Sequence, residues 1–80
     1  MREIGRDLVV ARKSVSSSII SSIGYDPSNG TLEIQFNQDG GVWHYFDVPK
    51  SVWNEFKKSS SHGKYFLANI NNQYPQAKVH

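Results

Sequence analysis

The 80-residue chain contains no cysteine, so disulfides, thiolate zinc sites and cysteine nucleophiles are excluded. Its apolar runs are only a few residues long, far short of the roughly 20 that a membrane-spanning helix needs. The opening residues, MREIGRDLVV, include acids and lack the extended apolar stretch of a secretory signal, so a cytoplasmic protein without membrane attachment is expected. A chain of this length makes one small domain, whose core must be economical or shared with a partner. The aromatic content, 12%, is high for such a core and predicts a homo-oligomer.

A large charge excess is also missing, since the net charge is only +2. Residues 1–14 hold Arg2, Arg6, Arg12 and Lys13 against Glu3 and Asp7, and the remainder of the chain is neutral. Within that remainder, residues 25–47 carry four acids and no lysine or arginine, whereas residues 49–66 carry four lysines and one acid. A dedicated polynucleotide binder presents a basic stripe, because each neutralised phosphate adds affinity through counterion release. Here only the second half is basic, which favours contact with a few phosphates over many.

What is present reads as alternating strands and then helices. Residues 1–13 form a variable arm, with Ile4, Leu8 and Ala11 at helical spacing. Ser14–Ser22 is serine-rich, but Val15, Ile19, Ile20 and Ile23 give it the β-branched content of a strand. Asp26-Pro27-Ser28-Asn29-Gly30 is a turn, and Leu32, Ile34 and Phe36 then alternate with polar residues on the clearest strand. After a second turn at Asn37–Gly41, Val42–Val48 completes a meander. Pro49 suits the first turn of a helix whose apolar stripe is Val52, Trp53 and Phe56. A second helix is predicted from Lys64 to Tyr74, ended by Pro75. The predicted fold is α+β, a three-stranded antiparallel β-meander followed by and packed on a two-helix hairpin. It occupies residues 14–75 and leaves 76–80 as a tail.

Several motifs in fixed order carry a family resemblance. They are Val15-x-Ser17-Ser18, Gly24-Tyr25-Asp26, Leu32-x-Ile34-x-Phe36, Trp43-x-Tyr45, Val48-Pro49, Ser60-Ser61-x-Gly63 and Tyr65-Phe66-x-x-x-Ile70. Over roughly residues 13–75 the chain resembles the KTSC domain, known as free-standing small bacterial and phage proteins and as a tail on some lysyl-tRNA synthetases. The role suggested for that family, RNA binding, is what the resemblance implies. The chain departs from the family pattern at Trp43, where tyrosine is usual, at Leu67, where asparagine is usual, and at Asn71, where arginine is frequent.

Two constellations can carry binding chemistry. Ser59-Ser60-Ser61-His62-Gly63-Lys64 stands at the mouth of the second predicted helix, where unpaired N–H groups and the helix dipole can receive a phosphate. Serine before a helix also serves as an ordinary N-cap, so both readings stand. Trp43-His44-Tyr45-Phe46 puts Trp43 and Tyr45 on one face of a strand and His44 on the other. Either Trp43 and Tyr45 face outward and stack bases, or they are core and His44 is exposed.

The three histidines lack metal-ligand spacing, and no nucleophile–base constellation can be placed. No metal, cofactor or catalysis is therefore expected. The leading expectation is non-catalytic binding of a small phosphorylated nucleotide, a role that includes sequestering a cyclic nucleotide signal. Its candidate residues are Trp43, Tyr45, Ser60, Ser61, His62, Gly63, Lys64 and Tyr65. RNA binding through the basic half and the N-terminal arm is the alternative, and a protein-interaction module is the third.

Overall fold

The computed structural model describes residues 11–80. Most of the expected arm, with the helical spacing of Ile4 and Leu8 and the charges of Arg2 and Arg6, lies outside the described residues.

The domain is α+β, built as β1 (Lys13–Ser14), β2 (Ile20–Asp26), β3 (Thr31–Phe36), β4 (Gly41–Tyr45), α1 (Lys50–Lys58), α2 (His62–Asn69) and β5 (Gln76–Lys78). All neighbouring strands are antiparallel, in the order β1-β2-β3-β4-β5. The expected three-strand meander is therefore the centre of a five-stranded sheet. Lys13 and Ser14 pair with Ile23 and Ser22, and Gln76–Lys78 pair with Tyr45, His44 and Trp43. Neither edge strand has a periodic pattern of its own. Each is held by backbone groups that its neighbour leaves unpaired, as in the bond from Val79 N–H to the Val42 carbonyl at 2.8 Å.

The turns follow from local chemistry. Gly30 takes φ +72°, and its N–H donates to the Asp26 carbonyl at 2.9 Å. Asp26 Oδ1 accepts from the Ser28 N–H and hydroxyl at 2.9 and 2.6 Å, and these bonds hold its carboxyl below the ordinary range. Between β3 and β4, Gln38 and Asp39 both have positive φ, +55° and +63°, the left-handed pair that matches strand twist in a two-residue hairpin.

Register between Ile20 and Ser22 shifts by a bulge, which sends Ile20 and Ile23 to the same face. That face carries Leu32, Ile34 and Tyr45 as well, and it packs on Val48, Phe56, Phe66 and Ile70. Helix α1 buries Phe56 fully and Val52 and Trp53 in part, as the apolar stripe predicts. Pro49 is the residue just before α1, with ψ 149°, rather than a member of its first turn. Helix α2 differs from expectation at both ends. It begins at His62, because Ser61 caps it, and ends at Asn69. Beyond it Asn72 takes φ +63°, a conformation asparagine tolerates, and turns the chain toward β5. Among the described residues no helix is long and apolar enough to cross a membrane.

Candidate functional site

The serines expected at the mouth of the second helix do stand at its N-terminus, and local bonds occupy much of them. Ser61 Oγ accepts from the Lys64 N–H at 3.3 Å, the ordinary N-cap arrangement, and Ser59 Oγ accepts from the Ser61 N–H at 3.2 Å. Across from them lies the serine-rich segment before β2, where Ser17 Oγ accepts from the N–H groups of Ile19 and Ile20, both at 3.3 Å. A Cβ on Gly63 would lie 3.1 Å from Ile19 Cγ1 and 3.3 Å from Ser17 Oγ. Gly63 thus lets α2 approach this segment closely.

Three clefts open around the segment. A serine cleft of about 330 Å³ is walled by Ser16, Ser17, Ser60, Ser61, Gly63 and Lys64. On one side, a basic cleft of about 520 Å³ brings Lys13, Lys57, Lys58 and His62 together over Trp53. The two clefts share Ser16, and neither lining contains an acidic residue. On the other side, a third cleft of about 430 Å³ is lined by Trp43, Tyr45 and Phe66 with Asn37, Gln38 and Asn71. Ser18 and Ile19 belong to both the serine cleft and this third one.

The candidate residues therefore divide. Ser60, Ser61, Gly63 and Lys64 share the serine cleft, His62 turns into the basic cleft, and Trp43 and Tyr45 line the third. Tyr65 lines none of them. It stacks on Phe56 with ring centroids 5.6 Å apart, and its hydroxyl donates to Glu55 Oε1 at 2.8 Å. Burial and the Glu55 carboxylate push its phenol up to about 12.

The open choice at β4 is decided by what each face packs against. Tyr45 is 2% exposed and meets Phe66 edge-to-face at 5.7 Å, so the Trp43/Tyr45 face is the one against the helices. The corollary that His44 is then exposed is corrected, because His44 is only 6% exposed. Its Nε2 lies 2.7 Å from Glu33 Oε1, and Glu33 Oε2 accepts from Arg12 Nη1 at 2.8 Å. The carboxylate between two donors makes burial on this second face tolerable.

Lys13, Trp53, Lys57 and Lys58 stand outside the candidate residues read from sequence, where Lys13 entered only with the arm and Lys57 and Lys58 only with the basic half of the RNA alternative. The lysine pair reads locally as a solvated helix end, and only the pairing of Lys13 with Ile23 brings a third lysine beside it. Trp53 is stacked on Tyr25 at 5.4 Å, and Lys57 Nζ lies 5.7 Å from its ring centroid. Tyr25 is itself fixed by a 2.6 Å bond from its hydroxyl to the Val48 carbonyl.

An antiparallel sheet with two short helices on one face and clefts along a serine-rich segment defines the class, a small α+β domain. The chain belongs to the KTSC domain family, whose family model matches residues 16–74. The crystal structure of a KTSC domain protein from Yersinia pestis is similar, with a TM-score of 0.85 and 39% identity over 90% of this chain and 100% of that one. An uncharacterized protein of Stutzerimonas stutzeri is 34% identical over 69% of this chain and 76% of its own length. A lysine–tRNA ligase of Nostoc sp. is 35% identical over 71% of this chain. The match spans about a tenth of that ligase, 10% of its length.

Proposed function

We propose that this domain binds RNA, holding a short run of backbone phosphates in the basic and serine clefts. The observation that carries the reading is the gathering of Lys13, Lys57, Lys58 and Lys64 along two adjoining clefts without an acidic residue in either lining. Lysines on flexible stems neutralise phosphates as point charges, and serine hydroxyls and the α2 N-terminus add donors. The match within a lysine–tRNA ligase, a protein whose name ties it to tRNA, supports RNA as the polyanion. A compact phosphorylated nucleotide is the rival ligand. Against it, Trp43 and Tyr45 do not share a cleft with the lysines, so an extended ligand suits the surface better than a compact one.

The test is anisotropy of a labelled single-stranded RNA over a salt series. Each phosphate neutralised on a single strand contributes about −0.7 to the slope of log K against log salt, so four lysines give a slope of roughly −3. Replacing Lys57, Lys58 and Lys64 by alanine should reduce that slope by about 2. Tight binding of a mononucleotide or cyclic dinucleotide, with RNA unable to compete, would overturn the RNA reading in favour of its rival.

A further inference from the structure

The third cleft differs in kind from its neighbours. Its lining holds no charged side chain, and carries four carboxamides, Asn37, Gln38, Asn71 and Gln76. Each amide offers both donors and an acceptor. The apolar floor is a locked set of aromatic rings. Phe36 meets Phe66 edge-to-face at 5.2 Å, and Tyr45 meets Phe66 at 5.7 Å. Trp43 is half-buried, and its indole N–H donates to the Gly40 carbonyl at 3.1 Å, which fixes the ring plane. The wall is tied down as well, because Asn37 Nδ2 donates to the Ser17 carbonyl at 3.1 Å and Asn37 N–H to the Ile19 carbonyl at 2.9 Å.

We propose that this amide-and-aromatic cleft receives a single unstacked nucleobase of the bound strand. The proposal rests on the RNA reading above and names the part of the ligand that the lysines cannot select. An uncharged planar heterocycle with donors and acceptors on its edge matches the part-exposed Phe36 and Trp43 rings bordered by carboxamides, the chemistry by which single-stranded RNA is read. A volume of about 430 Å³ falls within the range of ligand pockets, roughly 300–1,000 Å³. Ser18 and Ile19 are common to this cleft and the serine cleft, so a phosphate on the Ser60–Lys64 side adjoins a base on the Trp43 side.

The experiment compares short oligoadenylate, oligocytidylate and oligouridylate with an abasic oligomer of equal length, by anisotropy at one salt concentration. One base-bearing oligomer is expected to bind about tenfold tighter than the abasic strand. Asn71→Ala and Gln76→Ala, both at positions outside the apolar core, should each remove most of that margin and leave the abasic affinity unchanged. In parallel, free nucleosides are titrated while the Trp43 indole N–H resonance is followed, and it is expected to shift. Equal binding of abasic and base-bearing strands with an unmoved Trp43 signal overturns the base pocket and leaves the phosphate clefts standing. A Trp43 shift with nucleosides but no oligomer binding supports the pocket and overturns the RNA reading. Silence in both arms overturns both.

Discussion

The two faces of the sheet are buried by opposite means. Toward the helices, Ile23, Leu32, Ile34 and Tyr45 pack on Phe56, Phe66 and Ile70. On the far side Ser22, Thr31, Glu33 and His44 are each less than a tenth exposed. Burial of the first set is favourable in itself, because it removes apolar area from water. Burial of the second is costly unless every polar group finds a partner. Partners are shown for Ser22, Glu33 and His44: Ser22 Oγ donates to Gln35 Oε1 at 3.0 Å, and Glu33 accepts from Arg12 and pairs with His44. Polar alternation on a strand therefore does not by itself mean a solvated face.

The largest effect is expected on the apolar side. Phe56 is fully buried, and Phe56→Ala should cost about 3–5 kcal/mol, a large part of what holds so small a domain together. Urea unfolding followed by tryptophan fluorescence reads this directly.

The polar side offers a sharper contrast. Glu33→Leu alone leaves His44 buried without its acceptor and should cost about 2–4 kcal/mol. Glu33→Leu combined with His44→Leu removes both partners and should recover most of that loss, since apolar replacements of buried pairs are often close to neutral. Arg12, the more exposed partner, can turn to water. A single Glu33→Leu as stable as the parent in the same melts would show that the far face behaves as ordinary surface, and the contrast would dissolve.

A smaller effect distinguishes the faces by pH. Burial pushes the Tyr45 phenol up to about 12, above its ordinary value of 10.0. The folded state then holds a proton that the unfolded chain releases first. Stability from this group is complete below pH 10.0 and declines as the pH rises toward about 12. Tyr65 is displaced the same way and adds to the decline. Thermal melts across that window should fall in midpoint, and Tyr45→Phe should flatten part of the slope.

The smallest change is expected at the helix mouth. Gly63→Ala gains up to about 1 kcal/mol of helix propensity, opposed by the crowding of its Cβ on Ile19 and Ser17. A net loss within about 1 kcal/mol is expected from the same denaturation curves, since the neighbours must give by a few tenths of an ångström. A clear stabilisation would mean that the serine-rich segment yields without resistance.

Much of the fold was legible because it is local. Leu32, Ile34 and Phe36 alternate, Val52, Trp53 and Phe56 mark a helical stripe, and glycine and asparagine mark the turns that join them. The edge strands were not legible, since Lys13–Ser14 and Gln76–Lys78 carry no period and borrow their conformation from β2 and β4. The candidate site was legible in part. Ser60, Ser61, Gly63 and Lys64 do stand together, yet the lysines that join them come from residue 13 and from the end of α1.

The sequence alone specifies the turns at Asp26–Gly30 and Asn37–Gly41, the core alternation of β3, serines able to cap the second helix and membership of a family. Each of these depends on residues within a few positions of one another or on an ordered set of motifs. Only the tertiary structure decided that Glu33 and His44 are buried together, that Trp43 and Tyr45 turn away from the lysines, and that Lys13 meets Lys57 and Lys58. The physical reason is separation along the chain. Pairs such as Arg12 and Glu33, 21 residues apart, are brought into contact by sheet pairing and core packing, which no short window of sequence encodes.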